Sequence, residues 1–465
     1  MTQYIATYGI ISGMKRIIVL AVIAAVCQLA AVAQAESYDI GADLTGSTEN
    51  WEQSADDFAV DRIQNGFKFA DGRKRDVVVC REPGMVTYFG TPVMESRVYF
   101  KNRCISGVEL SLYNKGDAAN HGGMMSERGF DEMIERVSAK VSGADGKVPQ
   151  TVRVRVKNDR TKMGHKFTRS WPKRTPSAEL TWGISGERDS KTLEYARLVF
   201  RSDMAAGKRS VASKASARGG VAKPAGFVAN VKRNDEGDVY VANVPMVDQG
   251  DKGYCAVAAA ERVLRYFGQN MDEHEIAQLA GTSAGGGTSS RGMITAVETI
   301  GKKCKLGKRE VVSKIGSWED VEKRLKAYNK AAKLLKKPDL NMNDYVTVSG
   351  RSRTVDVSGM EKAMDPKVQK AMSMKDKAGY TKFIKGIREQ TVRGVPLFWS
   401  VQLGVYPEPG IPQNAGGHIR LIIGYNEEKG EIIYSDSWGA GHERKHMPDD
   451  WAWTITHNLF FLNPR

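Results

Sequence analysis

Cys255 closes a run of loop formers and opens a run of helix formers. In the stretch 248–264, DQGDKGYCAVAAAERVL, residues Asp248, Gly250, Asp251 and Gly253 favour turns, because glycine reaches positive φ cheaply and aspartate bonds its own backbone. From Ala256 onward the residues are good helix formers, and Val257, Ala260, Leu264 and Phe267 recur at helical spacing. The pattern predicts a thiol at a helix N-terminus, exposed by the loop before it. Downstream, His418 follows Gly416-Gly417 and opens the strand-like IRLIIGY, while Asp436 ends the next strand-like segment ahead of Ser437-Trp438-Gly439. The turn NEEKG makes these two segments neighbouring antiparallel strands, so the imidazole and the carboxylate are able to face each other.

Those residue types support acyl-transfer chemistry. A free thiol titrates near about 8.5, and a helix N-terminus with a nearby imidazolium brings that to roughly 3.5–7.5. His418 would take the thiol proton and later donate it to a leaving amine. Asp436 would hold the ring in the right tautomer and stabilise its cationic form. Attack on a carbonyl creates an oxyanion, which needs donors fixed in advance. Gln249, six positions before Cys255, would bring its side-chain amide over the thiol, beside the Cys255 backbone N–H. Losing one such donor typically lowers the rate about 10²–10³-fold.

These segments resemble a known family. QGDKGYC resembles the Q-G-x-x-G-x-C signature of papain-like cysteine peptidases, GGHIRLIIGYN their Gly-His strand, and SDSWG their N-S-W-G segment; the three occur in the family's order. The resemblance covers roughly residues 241–465. It implies Cys255 as nucleophile, His418 as base, Asp436 as orienting residue, Gln249 as oxyanion donor and Trp438 as a shield over the histidine contact. Two positions depart from the common pattern. Asp436 stands where asparagine is usual, and Ala256 where tryptophan is common after the cysteine. Both departures are similar to the double-glycine leader peptidases, which process bacteriocin precursors. Those enzymes are usually cytosolic domains of export transporters, so their substrate does not transfer to a chain with an export signal.

The elements that must position these residues follow from the rest of the chain. It has 465 residues, enough for two or three domains, with 41% hydrophobic and 8% aromatic residues and a formal charge of +15. Such a charge suits an anionic partner, but no nucleic-acid module accompanies it, and nucleic acid is not expected. Residues 14–35, MKRIIVLAVIAAVCQLAAVAQA, have a basic start, an apolar run and the small-x-small end Ala33-Gln34-Ala35, so a signal peptide cleaved after Ala35 is expected, with translation able to start at Met14. The mature protein is then periplasmic or secreted, with no membrane span.

Residues 36–203 read as a smaller α+β domain. RDVVVC, SRVYF, VELSLY, TVRVRV, AELTWGI and ARLVF are strand-like, and Phe130, Met133, Ile134 and Val137 mark a helix. Residues 204–226 are small, basic and aperiodic, which reads as a flexible linker. Residues 227–465 read as an α+β papain-like domain: a helical half carries the cysteine, and an antiparallel sheet carries histidine and aspartate. A Lys-rich, polar insertion is expected at about 305–375. The Gly-rich loop GTSAGGGTSSRG lacks the spacing of a phosphate cradle and reads as a cleft loop.

No C-x-x-C pair or histidine cluster suggests a metal, and no cofactor is expected. Cys80 and Cys104 are able to pair in an oxidising compartment or to remain two thiols, and Cys304 reads as structural. His121, His165, His274, His442, His446 and His457 read as bystanders to the chemistry. The expected function is an exported thiol peptidase acting on a peptide or protein. Alternatives are an amidase or transpeptidase on an anionic cell-envelope polymer, and an inactive scaffold with an N-terminal binding module. The N-terminal domain and linker also suit an inhibitory pro-segment cut near Arg218-Gly219-Gly220.

Overall fold

The computed structural model describes residues 37–464 except 46–48, 72–73, 121–122, 144–145, 158–162, 187–190, 203–225, 251–252, 270, 272, 283–296, 302–305, 351 and 414. The expected signal peptide, most of the linker and of the Gly-rich loop, His121 and Cys304 lie outside the described residues. No helix among the described residues is long and apolar enough to cross a membrane.

Two large cores form, each against its own eight-stranded sheet. The first sheet, between Lys68 and Arg201, is antiparallel, and two long connections interrupt its strand order. Its strands Glu95–Lys101 and Cys104–Asn114 pair directly, and Cys104–Asn114 then pairs with Thr192–Arg201. The helix Glu127–Ser142 buries Phe130, Met133, Ile134 and Val137 against this sheet, as the periodicity predicts, and Ser126 caps it by accepting the Gly129 N–H. Cys80 and Cys104 remain separate thiols; Cys80 Sγ donates to the Asn65 carbonyl at 3.1 Å.

The second sheet runs Val231–Arg233, Asp238–Val241, Gly416–Asn426, Leu397–Leu403, Thr456–Pro464, Leu306–Ser313. Glu431–Ser435 also pairs with Gly416–Asn426, which brings the end of one strand beside the start of the other. Every residue of Leu397–Leu403 is buried, the pattern of a strand covered on both faces. The helix Cys255–Tyr266 lies on this sheet. Its sequence marks one apolar face, yet residues 256–264 are all buried, because the N-terminal sheet covers the other side. There Arg97 and Tyr99 reach the charges of Glu261 and Arg265.

The expected insertion needs a correction. Leu306–Ser313 pairs antiparallel with Thr456–Pro464 and is the edge strand of the main sheet. The inserted part begins after it, with helices Trp318–Leu334, Val357–Ala363 and Pro366–Ser373 around Val321, Leu325, Tyr328, Met360 and Val368. Edge strands carry charged residues that discourage further pairing, so LGKREVVS reads as polar filler in the sequence.

Candidate functional site

Cys255 is the first residue of its helix, and Tyr254 at the N-cap offers no side-chain bond to the first turn. The first-turn N–H groups of a helix lack intrahelical partners and favour negative charge. The half-buried Cys255 thiol accepts from the Ala256 and Ile419 N–H groups. Burial by itself would raise its pKa. The hydrogen bond and charge of His418, with those two N–H groups, outweigh burial and hold the thiol below its ordinary value.

The His418 side chain is fully buried, with Nε2 2.6 Å from Asp436 Oδ1. Its Nδ1 has no hydrogen-bond partner among the described residues, and the imidazole interacts with the Cys255 thiol by hydrogen bond and by charge. Burial disfavours the cation. The Asp436 charge and hydrogen bond, together with Cys255, overcome that and push His418 up to about 9. Trp438 lies flat on the imidazole, with ring centroids 4.5 Å apart and planes 8° apart, and so excludes water from the histidine–aspartate contact.

Asp436 sits just past the strand Glu431–Ser435 and is completely buried. Oδ1 also accepts the Ser437 N–H at 2.9 Å, and Oδ2 lies 3.6 Å from Arg420 Nη1. Burial would raise this carboxyl, but His418 and Arg420 hold it well below the usual carboxylate range. Gln249 is buried too, and its backbone N–H donates to the Ser437 carbonyl at 2.7 Å. Its side-chain Oε1 has no hydrogen-bond partner among the described residues. Cys255, His418 and Asp436 thus meet where the helix tip and two strand ends converge, and Gln249 is tied through its backbone to Ser437, next to Asp436.

Two arginines in this site escaped the sequence reading. Arg420 pairs with Glu408 through two bonds of 2.6 and 2.9 Å and lies over the Trp399 and Tyr434 rings. Arg262, two turns along the Cys255 helix, donates to the Asp436 carbonyl at 2.9 Å, to the Pro245 carbonyl at 2.8 Å and to Ser437 Oγ at 3.3 Å, and also bonds Ser435 Oγ. Burial pulls it down to about 10. The available signal was an arginine set among mostly apolar residues, in both HIRLII and AAAERVL.

The remaining histidines bond elsewhere. His274 is buried where the two sheets' units meet, 3.4 Å from Ser111 Oγ and between the Tyr195 and Tyr254 rings. His457 bonds Glu361 at 2.6 Å, and His446 bonds Glu431 at 3.2 Å. His442 contacts the Trp438 ring edge-on, and its carbonyl accepts the Asp436 N–H.

Residues 241–459 match the model of the Peptidase_C39 like family. Over these residues, just under half of the chain, the protein is similar to the C39-like cysteine peptidases. The match spans the Cys255 helix, both strands of the site and the inserted helices, and leaves the N-terminal sheet outside. No curated protein matches the chain. Among solved structures, the peptidase domain of Streptococcus ComA, a bifunctional ABC transporter involved in a quorum-sensing pathway, is 12% identical; the likeness covers 48% of this chain and 100% of that one, at a TM-score of 0.24. Xylellain, a cysteine protease from Xylella fastidiosa, is also 12% identical, covering 53% of this chain and 90% of its own, at a TM-score of 0.25. At such TM-scores neither likeness bears on the chemistry of this C39-like peptidase.

Proposed function

We propose that the chain is an exported peptidase that cleaves peptide bonds through an acyl-thioenzyme. The Cys255 thiolate attacks the scissile carbonyl carbon, and the carbonyl electrons move onto oxygen. The Gln249 side-chain amide and the Cys255 backbone N–H receive that oxyanion. When the tetrahedral adduct collapses, the C–N bond breaks and His418 gives its proton to the leaving amine. Water, deprotonated by His418, then attacks the thioester and returns the thiol. Asp436 keeps the imidazolium charged and oriented throughout.

The observation that carries this reading is the His418–Asp436 contact of 2.6 Å under the stacked Trp438, with the Cys255 thiol interacting with the same imidazole. Export is supported by the basic start, apolar run and Ala33-Gln34-Ala35 of residues 14–35; the N-terminal residue of the mature protein should be Glu36. The expected substrate is a peptide or an unfolded protein outside the cytoplasm. Cys255→Ala should abolish both turnover and labelling by a thiol-directed peptidase probe. Equal turnover in that variant would sink the mechanism. Incubation with unfolded protein and with peptidoglycan fragments, read by mass spectrometry, separates this activity from amidase or transpeptidase action on a cell-envelope polymer.

A further inference from the structure

We infer that Arg81, carried by the N-terminal sheet, is a positioning residue of the catalytic centre: it clamps the loop that bears Gln249, so the N-terminal unit completes the oxyanion site. The inference rests on the peptidase reading above for its meaning and on the geometry of one loop for its evidence.

Arg81 directly follows the strand Val77–Cys80 and is largely buried. Its Nη1 lies 2.5 Å from Asp248 Oδ2, and its Nη2 donates to the Asp248 carbonyl at 2.9 Å. A planar guanidinium that holds both the side chain and the main chain of one residue fixes that residue's orientation as well as its position. Asp248 immediately precedes Gln249, and its Oδ1 accepts the Gly250 N–H at 3.1 Å, bridging Gln249 from one side to the other. The same carboxylate lies over Gly439, where a Cβ would come within 2.7 Å of Asp248 Oδ2 and where φ is +79°. With the Gln249 N–H on the Ser437 carbonyl, the loop is tied to the Asp436–Gly439 segment on one side and to Arg81 on the other.

Arg81 is itself held from behind by Glu95, at 3.0 Å. A cavity of about 270 Å³ runs along this seam, lined by Lys68 and Glu82 of the N-terminal unit and by Gly250 and Trp438 of the peptidase, so the clamp borders the site directly. Gly250 and Gly253 both have positive φ, the region that glycine reaches at little cost. An oxyanion donor acts only when it is held in place before the charge forms.

The test uses the full chain with Arg81→Ala and Arg81→Lys. Peptide turnover reads the oxyanion site. Alkylation of Cys255 by iodoacetamide does not, because it displaces iodide at a saturated carbon and forms no oxyanion. Arg81→Ala should lower kcat by about 10–10³-fold, with a smaller change in KM, and Arg81→Lys should recover part of the loss. The alkylation rate and its pH profile should stay within about twofold of wild type by the same reasoning. Unchanged turnover, or alkylation that falls in step with turnover, overturns the inference. Amide exchange at Gln249 and Gly250 gives a readout independent of turnover: it should quicken in Arg81→Ala, and unchanged exchange overturns the inference even in a protein that cleaves nothing. A wild-type chain without peptidase activity would defeat the peptidase reading and leave this exchange measurement decisive for the clamp. If Arg81→Ala does not fold, Asp248→Asn, which keeps the side chain's size and removes its charge, should show the same split between turnover and alkylation, and no split there overturns the clamp.

Discussion

His418 keeps its proton because two anionic partners act on it, Asp436 bonded at Nε2 and the Cys255 sulfur. Its value of about 9 lies above the ordinary 6.5. A raised cationic group contributes its full stabilisation below the unfolded value and loses it as pH rises through the folded one, so the His418 contribution is present below about 6.5 and gone above about 9. Asp436 behaves oppositely: its depressed carboxyl stabilises the fold above its ordinary value, and the contribution is lost as the solution becomes strongly acidic. Peptide turnover should therefore fall along an alkaline limb centred near 9. Asp436→Asn removes the anion between His418 and Arg420, leaving the imidazolium beside a buried cation. That variant's alkaline limb should move down by roughly 1–3 units, the usual effect of one close opposite charge. A limb that stays in place in a full pH–rate profile would show that Asp436 does not hold the histidine's proton.

The helix Cys255–Tyr266 and the turn after Glu431–Ser435 are joined by Arg262, which no spacing rule anticipates. One guanidinium satisfies the carbonyls of Pro245 and Asp436 and the hydroxyls of Ser435 and Ser437, thereby fixing where Asp436 emerges relative to the thiol. Arg262→Met keeps much of the volume and leaves those buried acceptors without a donor. Each unsatisfied buried group costs about 1–3 kcal/mol, so a drop of several degrees in the thermal midpoint is expected, with turnover lost before the fold. Thermal unfolding of the variant with no shift in midpoint would refute this. The edge strand Leu306–Ser313 was unreadable for a related reason. Its lysine, arginine and glutamate suit an edge facing water, and only its pairing with Thr456–Pro464 identifies it as sheet.

The two units meet through many charged and polar groups, with Val156 of the N-terminal sheet packed beside the peptidase core. Arg97 pairs with Glu95 and, at 3.2 Å, with Glu273 of the peptidase; Lys166 reaches Glu275 at 3.0 Å; and Gln278 Nε2 donates to the Ile184 carbonyl at 3.3 Å. The helix Glu273–Ala280 approaches so closely that a Cβ on Gly164 or Gly183 would fall within 3.0 Å of the Gln278 amide. Arg97 is nearly inaccessible to solvent, and Arg97→Met would remove a cation from between two buried carboxylates. Taking one partner from such a network typically costs about 3–5 kcal/mol. Denaturant unfolding should show a loss of that size, little altered by salt because the network is shielded from solvent. A loss below about 1 kcal/mol, the range of exposed pairs, would mean that the seam contributes little to stability.

Cys255, His418, Asp436 and Gln249 could be singled out from the sequence because thiol chemistry restricts residue type and the chain supplies local punctuation: glycines before a helix, a turn between two strands, a tryptophan after the carboxylate. The strands of the N-terminal unit were legible for the same local reason, in runs of β-branched and aromatic residues. Only the tertiary structure decided that Arg420 meets Glu408, that Arg262 holds Asp436, and that Arg81 reaches Asp248 across 167 positions. Those pairings depend on which surfaces burial brings together. A side chain's charge is written in the sequence, whereas the partner that makes its burial tolerable is chosen by packing.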